Sequence, residues 1–92
     1  MITPENLIRH ELIGLEVQVA KSENASQAGI RGLVVDETKN LISIETEKGL
    51  KKIQKKGSEF IFTIPDGRKV KVRGVLIAKR HEDRVKIKVK KW

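Results

Sequence analysis

Short runs in which apolar and polar residues alternate, divided by turns of a few residues, constrain this chain more than any other feature. Leu15, Val17 and Val19 alternate with Glu16 and Gln18, and Ile42 and Ile44 alternate with Ser43 and Glu45. Phe60, Phe62 and Ile64 share one phase between Glu59 and Thr63; Val70 and Val72 alternate with Lys69, Lys71 and Arg73; Val85, Ile87 and Val89 alternate with Arg84, Lys86, Lys88 and Lys90. A period of two marks strands with one buried face. The intervening segments are turn-like: Thr38-Lys39-Asn40, Glu47-Lys48-Gly49, Lys56-Gly57-Ser58, and Pro65-Asp66-Gly67 with its hairpin-forming Asp-Gly pair. Connections this short make neighbouring strands antiparallel. The pattern predicts an all-β fold of six or seven strands near 15–20, 29–37, 41–46, 49–55, 59–64, 68–78 and 84–90. In 92 residues a flat sheet of that size would expose its edges and cover little core. A small closed or partly closed antiparallel barrel is therefore expected.

Two segments share a sequence echo, Ile30-Arg31-Gly32-Leu33-Val34-Val35 and Val72-Arg73-Gly74-Val75-Leu76-Ile77. Each puts a glycine in mid-strand, where the absent side chain permits a bulge or a sharp coil at a barrel corner. Shared corner chemistry accounts for the echo more simply than duplication does. The one long polar, small-residue stretch, 20–29, reads as a loop.

Ahead of the strands, residues 1–14 read as a short helix. Thr3 is its N-cap, Pro4 suits the first turn, Glu5 complements the dipole and Gly14 ends it. Its apolar stripe is Leu7, Ile8 and Leu12. Under three turns it has no stability of its own, so the stripe must dock, either on the domain formed by 15–92 or on a protein partner.

Charge is distributed unevenly. Of 20 Lys/Arg and 12 Asp/Glu, residues 1–67 hold 9 and 10, while residues 68–92 hold 11 and 2, so the last quarter carries the entire +8 excess. Alternation stands the basic side chains of 68–73 and 84–90 on the outside of their strands. Arg68, Lys69, Lys71, Arg73, Lys79, Arg80, Arg84, Lys86 and Lys88 are thus candidate phosphate contacts, with Lys51, Lys52 and Lys55 as a second basic patch. Tyr is absent, and Phe60 and Phe62 fall on the apolar phase, leaving Trp92 as the one ring available to stack on a base. Single-strand recognition by stacking, and the aromatic groove of a proline-peptide module, are both poorly supplied. A folded RNA, or duplex DNA, held through phosphates and shape fits better.

Catalytic chemistry finds few candidates. The chain has no Cys and only His10 and His81, neither set near a nucleophile or a ligand group, and its seven glycines are scattered singly rather than gathered in a phosphate cradle. The adjacent acids Asp36-Glu37 and Glu82-Asp83 read as turn carboxylates or as partners for nearby Lys and Arg. No run approaches the ~20 apolar residues of a membrane span, and no signal-peptide pattern opens the chain. A cytoplasmic protein without membrane association and without a cofactor of its own is expected.

Four stretches taken together carry a family likeness: NLIRHELIGL at 6–15, IRGLVVDETKN at 30–40, PDG at 65–67 and GVLIAKRHEDR at 74–84. In these the chain resembles the archaeal ribonuclease P protein component one family, related to the eukaryotic Pop-four protein. His81 stands where members often have proline. The resemblance implies an Sm-like, SH3-like barrel and an RNA-binding subunit of the ribonucleoprotein that removes the 5′ leader of precursor tRNA. It also implies that the catalyst is the RNA, served by Mg²⁺, and that the partners are ribonuclease P RNA, a small zinc-ribbon protein and other protein subunits, with precursor tRNA met indirectly. The residues alone leave another reading open: a small basic SH3-like barrel that binds ribosomal RNA or duplex DNA architecturally.

Overall fold

The computed structural model describes residues 2–4, 6–79 and 84. Among these described residues six strands follow one another: β1 Glu16–Ser22, β2 Arg31–Glu37, β3 Leu41–Thr46, β4 Gly49–Gln54, β5 Ser58–Thr63 and β6 Lys69–Arg73. They form one antiparallel sheet in the order β4-β3-β2-β1-β5-β6. The all-β expectation holds, and the Asp-Gly hairpin forms as anticipated. Gly67 adopts φ +92°, its N–H donates to the Ile64 carbonyl at 2.8 Å, and the Arg68 N–H donates to Asp66 Oδ1 at 2.9 Å.

Closure is less complete than a barrel requires. Among the described residues the ladder runs from β4 to β6 with no pairing between those two edges. The sheet instead coils on itself, helped by register shifts at Val19/Lys21 and Val34/Asp36. Just past the two edge strands the chain comes together, where a Cβ on Gly74 would sit 1.6 Å from the Lys55 carbonyl oxygen. Gly32 is equally constrained, with a Cβ placed 2.0 Å from the Glu45 carbonyl oxygen. The two echoed glycines thus serve close backbone approach rather than bulges, and the strand expected over 68–78 ends at Arg73, giving way to a 3₁₀ turn, Gly74–Ile77. The strand expected over 84–90 lies outside the described residues except for Arg84, whose backbone is helical rather than extended.

The expected N-terminal helix is also replaced. Only a single 3₁₀ turn, Leu7–Arg9, forms before the backbone extends at His10 (φ −88°, ψ 157°). Thr3 does take an orphan donor, accepting from the Asn6 N–H at 3.3 Å while its own N–H donates to Asn6 Oδ1 at 2.7 Å. Leu7, Ile8 and Leu12 then pack into the core with Val17, Val34, Ile42, Ile44, Phe60, Phe62 and Ile77. The turn and the extended chain that follows it send all three inward. Of the two docking expectations, packing on the chain's own sheet is the one met: Leu7, Ile8 and Leu12 are part of its core and are not exposed to a protein partner. No helix is long and apolar enough to cross a membrane among the described residues.

Candidate nucleic-acid interface

Strand β6 shows the alternation most clearly. Lys69, Lys71 and Arg73 are exposed, Val70 is half-buried and Val72 is buried. The phase is set by pairing with β5, where Val72 lies opposite Phe60 and Val70 opposite Phe62. Both phenylalanines are fully buried, their rings 6.0 Å apart, so burying them obliges the three cations to face outward. Lys71 lies 3.8 Å from Glu59, a loose surface pair. Arg68 caps the row from the β5–β6 turn, its guanidinium 2.7 Å from Asp66. The Arg68 backbone N–H, and then its side chain, hold the Asp66 carboxyl below its ordinary value. Lys79 is exposed beyond the 3₁₀ turn. Lys51 and Lys52 are exposed on β4, the opposite edge of the sheet. Arg80, Lys86 and Lys88 lie outside the described residues.

Two of the expected phosphate contacts point inward, and a third residue explains why. Lys55 and Arg84 are fully buried, and the Glu37 side chain between them is 3% exposed. Lys55 Nζ donates to Glu37 Oε1 at 2.8 Å, to the Thr38 carbonyl at 2.7 Å and to the Lys79 carbonyl at 3.0 Å, which uses all three of its hydrogens. The Arg84 guanidinium forks onto both oxygens of Glu37 and donates to the carbonyls of Ile8 (2.7 Å), Lys79 (2.7 Å) and His10 (3.1 Å). Lys55 and Arg84 are thus removed from the candidate interface, because a phosphate cannot reach them without taking the core apart. Burial pulls the Lys55 ammonium below the ordinary lysine value, opposed by its hydrogen bond and charge attraction to Glu37. The cluster ties the 3₁₀ turn of the N-terminus, the ends of β2 and β4, and the segment beyond β6 into one body. It also settles the role of Glu37 as a partner for Lys and Arg rather than a solvated turn acid.

A second basic feature escaped the sequence reading. An open trough of about 830 Å³ crosses the outward face of the sheet, and Arg31, Lys48, Lys51 and Lys69 stand in its lining. Arg31 was legible in principle, since it shares the outward phase of Leu33 while Val34 points into the core. The apolar character of the rest of β2 masks it in the sequence. Groups of three or more side chains suited to hold a metal are absent among the described residues.

Comparison with known proteins places this geometry. The family model described as ribonuclease P/MRP, subunit p29, matches residues 5–87. Ribonuclease P protein component 1 of Methanosphaera stadtmanae is 47% identical over 91 residues, covering 99% of this chain and 98% of that protein. Its counterpart from Methanocaldococcus jannaschii is 47% identical over 91 residues, covering 98% of this chain and 95% of that protein. Among solved structures, Mth11, a homologue of the human RNase P protein Rpp29, superposes with a TM-score of 0.61 at 41% identity, over 79% of this chain and 96% of that one. A coiled six-stranded sheet with an outward basic edge, matched along nearly its whole length, belongs to the ribonuclease P/MRP subunit p29 family.

Proposed function

We propose that this chain is an RNA-binding protein subunit of ribonuclease P, which supports the catalytic RNA in removing the 5′ leader of precursor tRNA and performs no bond cleavage itself. The observation that carries the reading is the β6 row, three cations at alternate positions held outward by a buried phenylalanine pair. A row of that kind grips phosphates without reading bases. In the same reading Mg²⁺ serves the RNA catalyst, this chain binds no cofactor, and the setting is the cytoplasm. Its protein neighbours in the complex include a small zinc-ribbon subunit, and kinship with the eukaryotic Pop-four protein and the Sm-like barrels belongs to the same proposal.

Binding of the chain to ribonuclease P RNA, measured across a salt series, tests this. Affinity should fall log-linearly with salt, by a slope of about 0.7–0.9 for each phosphate neutralised. Lys69→Glu, Lys71→Glu and Arg73→Glu combined should reduce that slope and weaken binding at least tenfold, with an unchanged circular dichroism spectrum. A flat salt dependence, or full affinity in the triple variant, would remove β6 from the interface.

A further inference from the structure

We infer that the trough on the outward face of the sheet is a seat for the minor groove of an RNA duplex. The inference rests on the RNA-subunit reading above and names the form of RNA that the site takes. Strand register lays out the face as a row: Lys69 on β6, Thr63 on β5, Glu16 on β1, Leu33 on β2, Glu45 on β3 and Leu50 on β4. A parallel row places Lys71 opposite Ile61, Ile61 opposite Gln18, and Gln18 opposite Arg31. Five strand spacings make the arc roughly 24 Å long. Lys69 stands at one end and Lys48 of the β3–β4 turn at the other, and Arg31 of β2 stands between them beside Gln18. Around Arg31 the floor holds hydrogen-bond acceptors: Glu16, Gln18, Thr63 and Glu45.

These groups are unspent. Among the described residues none of the four trough cations forms an ion pair, although carboxylates line the same trough, and none of the four floor side chains makes a hydrogen bond. A single phosphate strand laid along the first of these rows would meet Glu16 and Glu45 and be repelled. Two strands resting on the two rims would bring a groove over the floor instead. In an A-form helix the wide, shallow groove is the minor one, and it displays 2′-hydroxyls. Those hydroxyls are donors, and a carboxylate or amide oxygen facing them accepts a strong hydrogen bond. B-form DNA offers no 2′-hydroxyl and a minor groove only about 6 Å wide. Nor does the face offer an aromatic platform for an unpaired base, since Phe60 and Phe62 are buried.

The test is fluorescence anisotropy with the full chain and three labelled duplexes of one sequence: RNA, 2′-O-methyl RNA and DNA. RNA should bind about tenfold more tightly than either of the others, the difference expected for one or two hydroxyl contacts. In Glu16→Ala/Glu45→Ala the preference should shrink to less than about threefold as DNA and methylated RNA gain affinity. Gln18→Ala, a milder change kept in case the double variant folds poorly, should shrink it part of the way. Equal binding of the three duplexes by the unaltered chain, or a preference that survives in both variants, overturns the inference. Unlabelled ribonuclease P RNA and precursor tRNA serve as competitors. Displacement by one of them identifies the source of the duplex, and displacement by neither also overturns the inference. The β6 triple variant separates the two levels: its loss of binding to ribonuclease P RNA would uphold the subunit reading even if the duplexes were not distinguished.

Discussion

Replacing Glu37 by Gln should be among the most damaging single substitutions in this domain, although it changes neither the size nor the shape of the side chain. Glu37 is the one anion held between two buried cations, 2.8 Å from Lys55 Nζ and forked by Arg84. Gln keeps one oxygen to accept with but gives up the charge, and its amide donors would face an ammonium and a guanidinium that only donate. Removing one partner of a buried ion pair costs about 3–5 kcal/mol, because the remaining charge has lost its solvent and its counterion. Here two charges are stranded, so the upper part of that range is expected. A 92-residue domain holds about 5–14 kcal/mol in all. At about 4–8 °C per kcal/mol, Tm should drop by about 16–40 °C or folding should fail. Urea denaturation followed by far-ultraviolet circular dichroism measures the loss, and Lys55→Met supplies the control. That variant removes the third member while leaving Glu37 and Arg84 paired one to one, and it should cost clearly less than Glu37→Gln. If Glu37→Gln loses under about 1 kcal/mol, or if Lys55→Met is the worse of the two, the cluster does not hold the fold as argued.

Other perturbations probe separate parts of the account. The Lys55 amine should titrate below the ordinary lysine value of 10.5, which selective labelling and NMR of its side-chain carbon can follow; titration at or above that value would mean that Glu37 outweighs burial. Because the unfolded chain then binds the extra proton, this group makes stability rise with pH between its folded value and 10.5. Gly74→Ala forces a methyl to within 1.6 Å of the Lys55 carbonyl and should cost more than about 2 kcal/mol, whereas an exposed change such as Lys52→Ala should stay within about 0.5 kcal/mol. Phe62→Ala should lose about 3–5 kcal/mol through the cavity it leaves and, by releasing the β6 phase, should also weaken RNA binding.

What could be read from the sequence was whatever depends on neighbours along the chain. The period of two over the described strands, the Asp-Gly turn and the phase of β6 are local, and these appear in the structure, because burying Phe60 and Phe62 decides which way Lys69, Lys71 and Arg73 face. The N-terminal stripe was legible as apolar but not as helix or turn, since that choice depends on Ile8 and His10 giving their carbonyls to Arg84, more than seventy residues away. The position of Lys55 could have been suspected. It lies two residues from buried Ile53, and therefore in the inward phase, but a lysine run suggests solvent until a buried acid is known to await it.

That last case bears on how the excess charge divides between structure and function. Total charge gives an upper bound on what is available to phosphates, and the buried cluster lowers it. Lys55 and Arg84 together face a single carboxylate, Glu37, so one positive charge of the net excess is enclosed in the fold. Solvent-facing cations then matter by position rather than number. Between Lys69 of the β6 row and Lys48 across the trough lie carboxylates, Glu16 and Glu45, that a uniformly basic surface would not carry. Such a layout binds more weakly than an unbroken cationic face, and in return it disfavours a polyanion that cannot set two backbones apart. Selectivity obtained this way depends on the sheet's curvature, which the Gly74 contact and the Glu37 cluster both hold. A core substitution that flattened the sheet should therefore erase the preference for duplex RNA before it abolishes salt-sensitive binding to RNA in general.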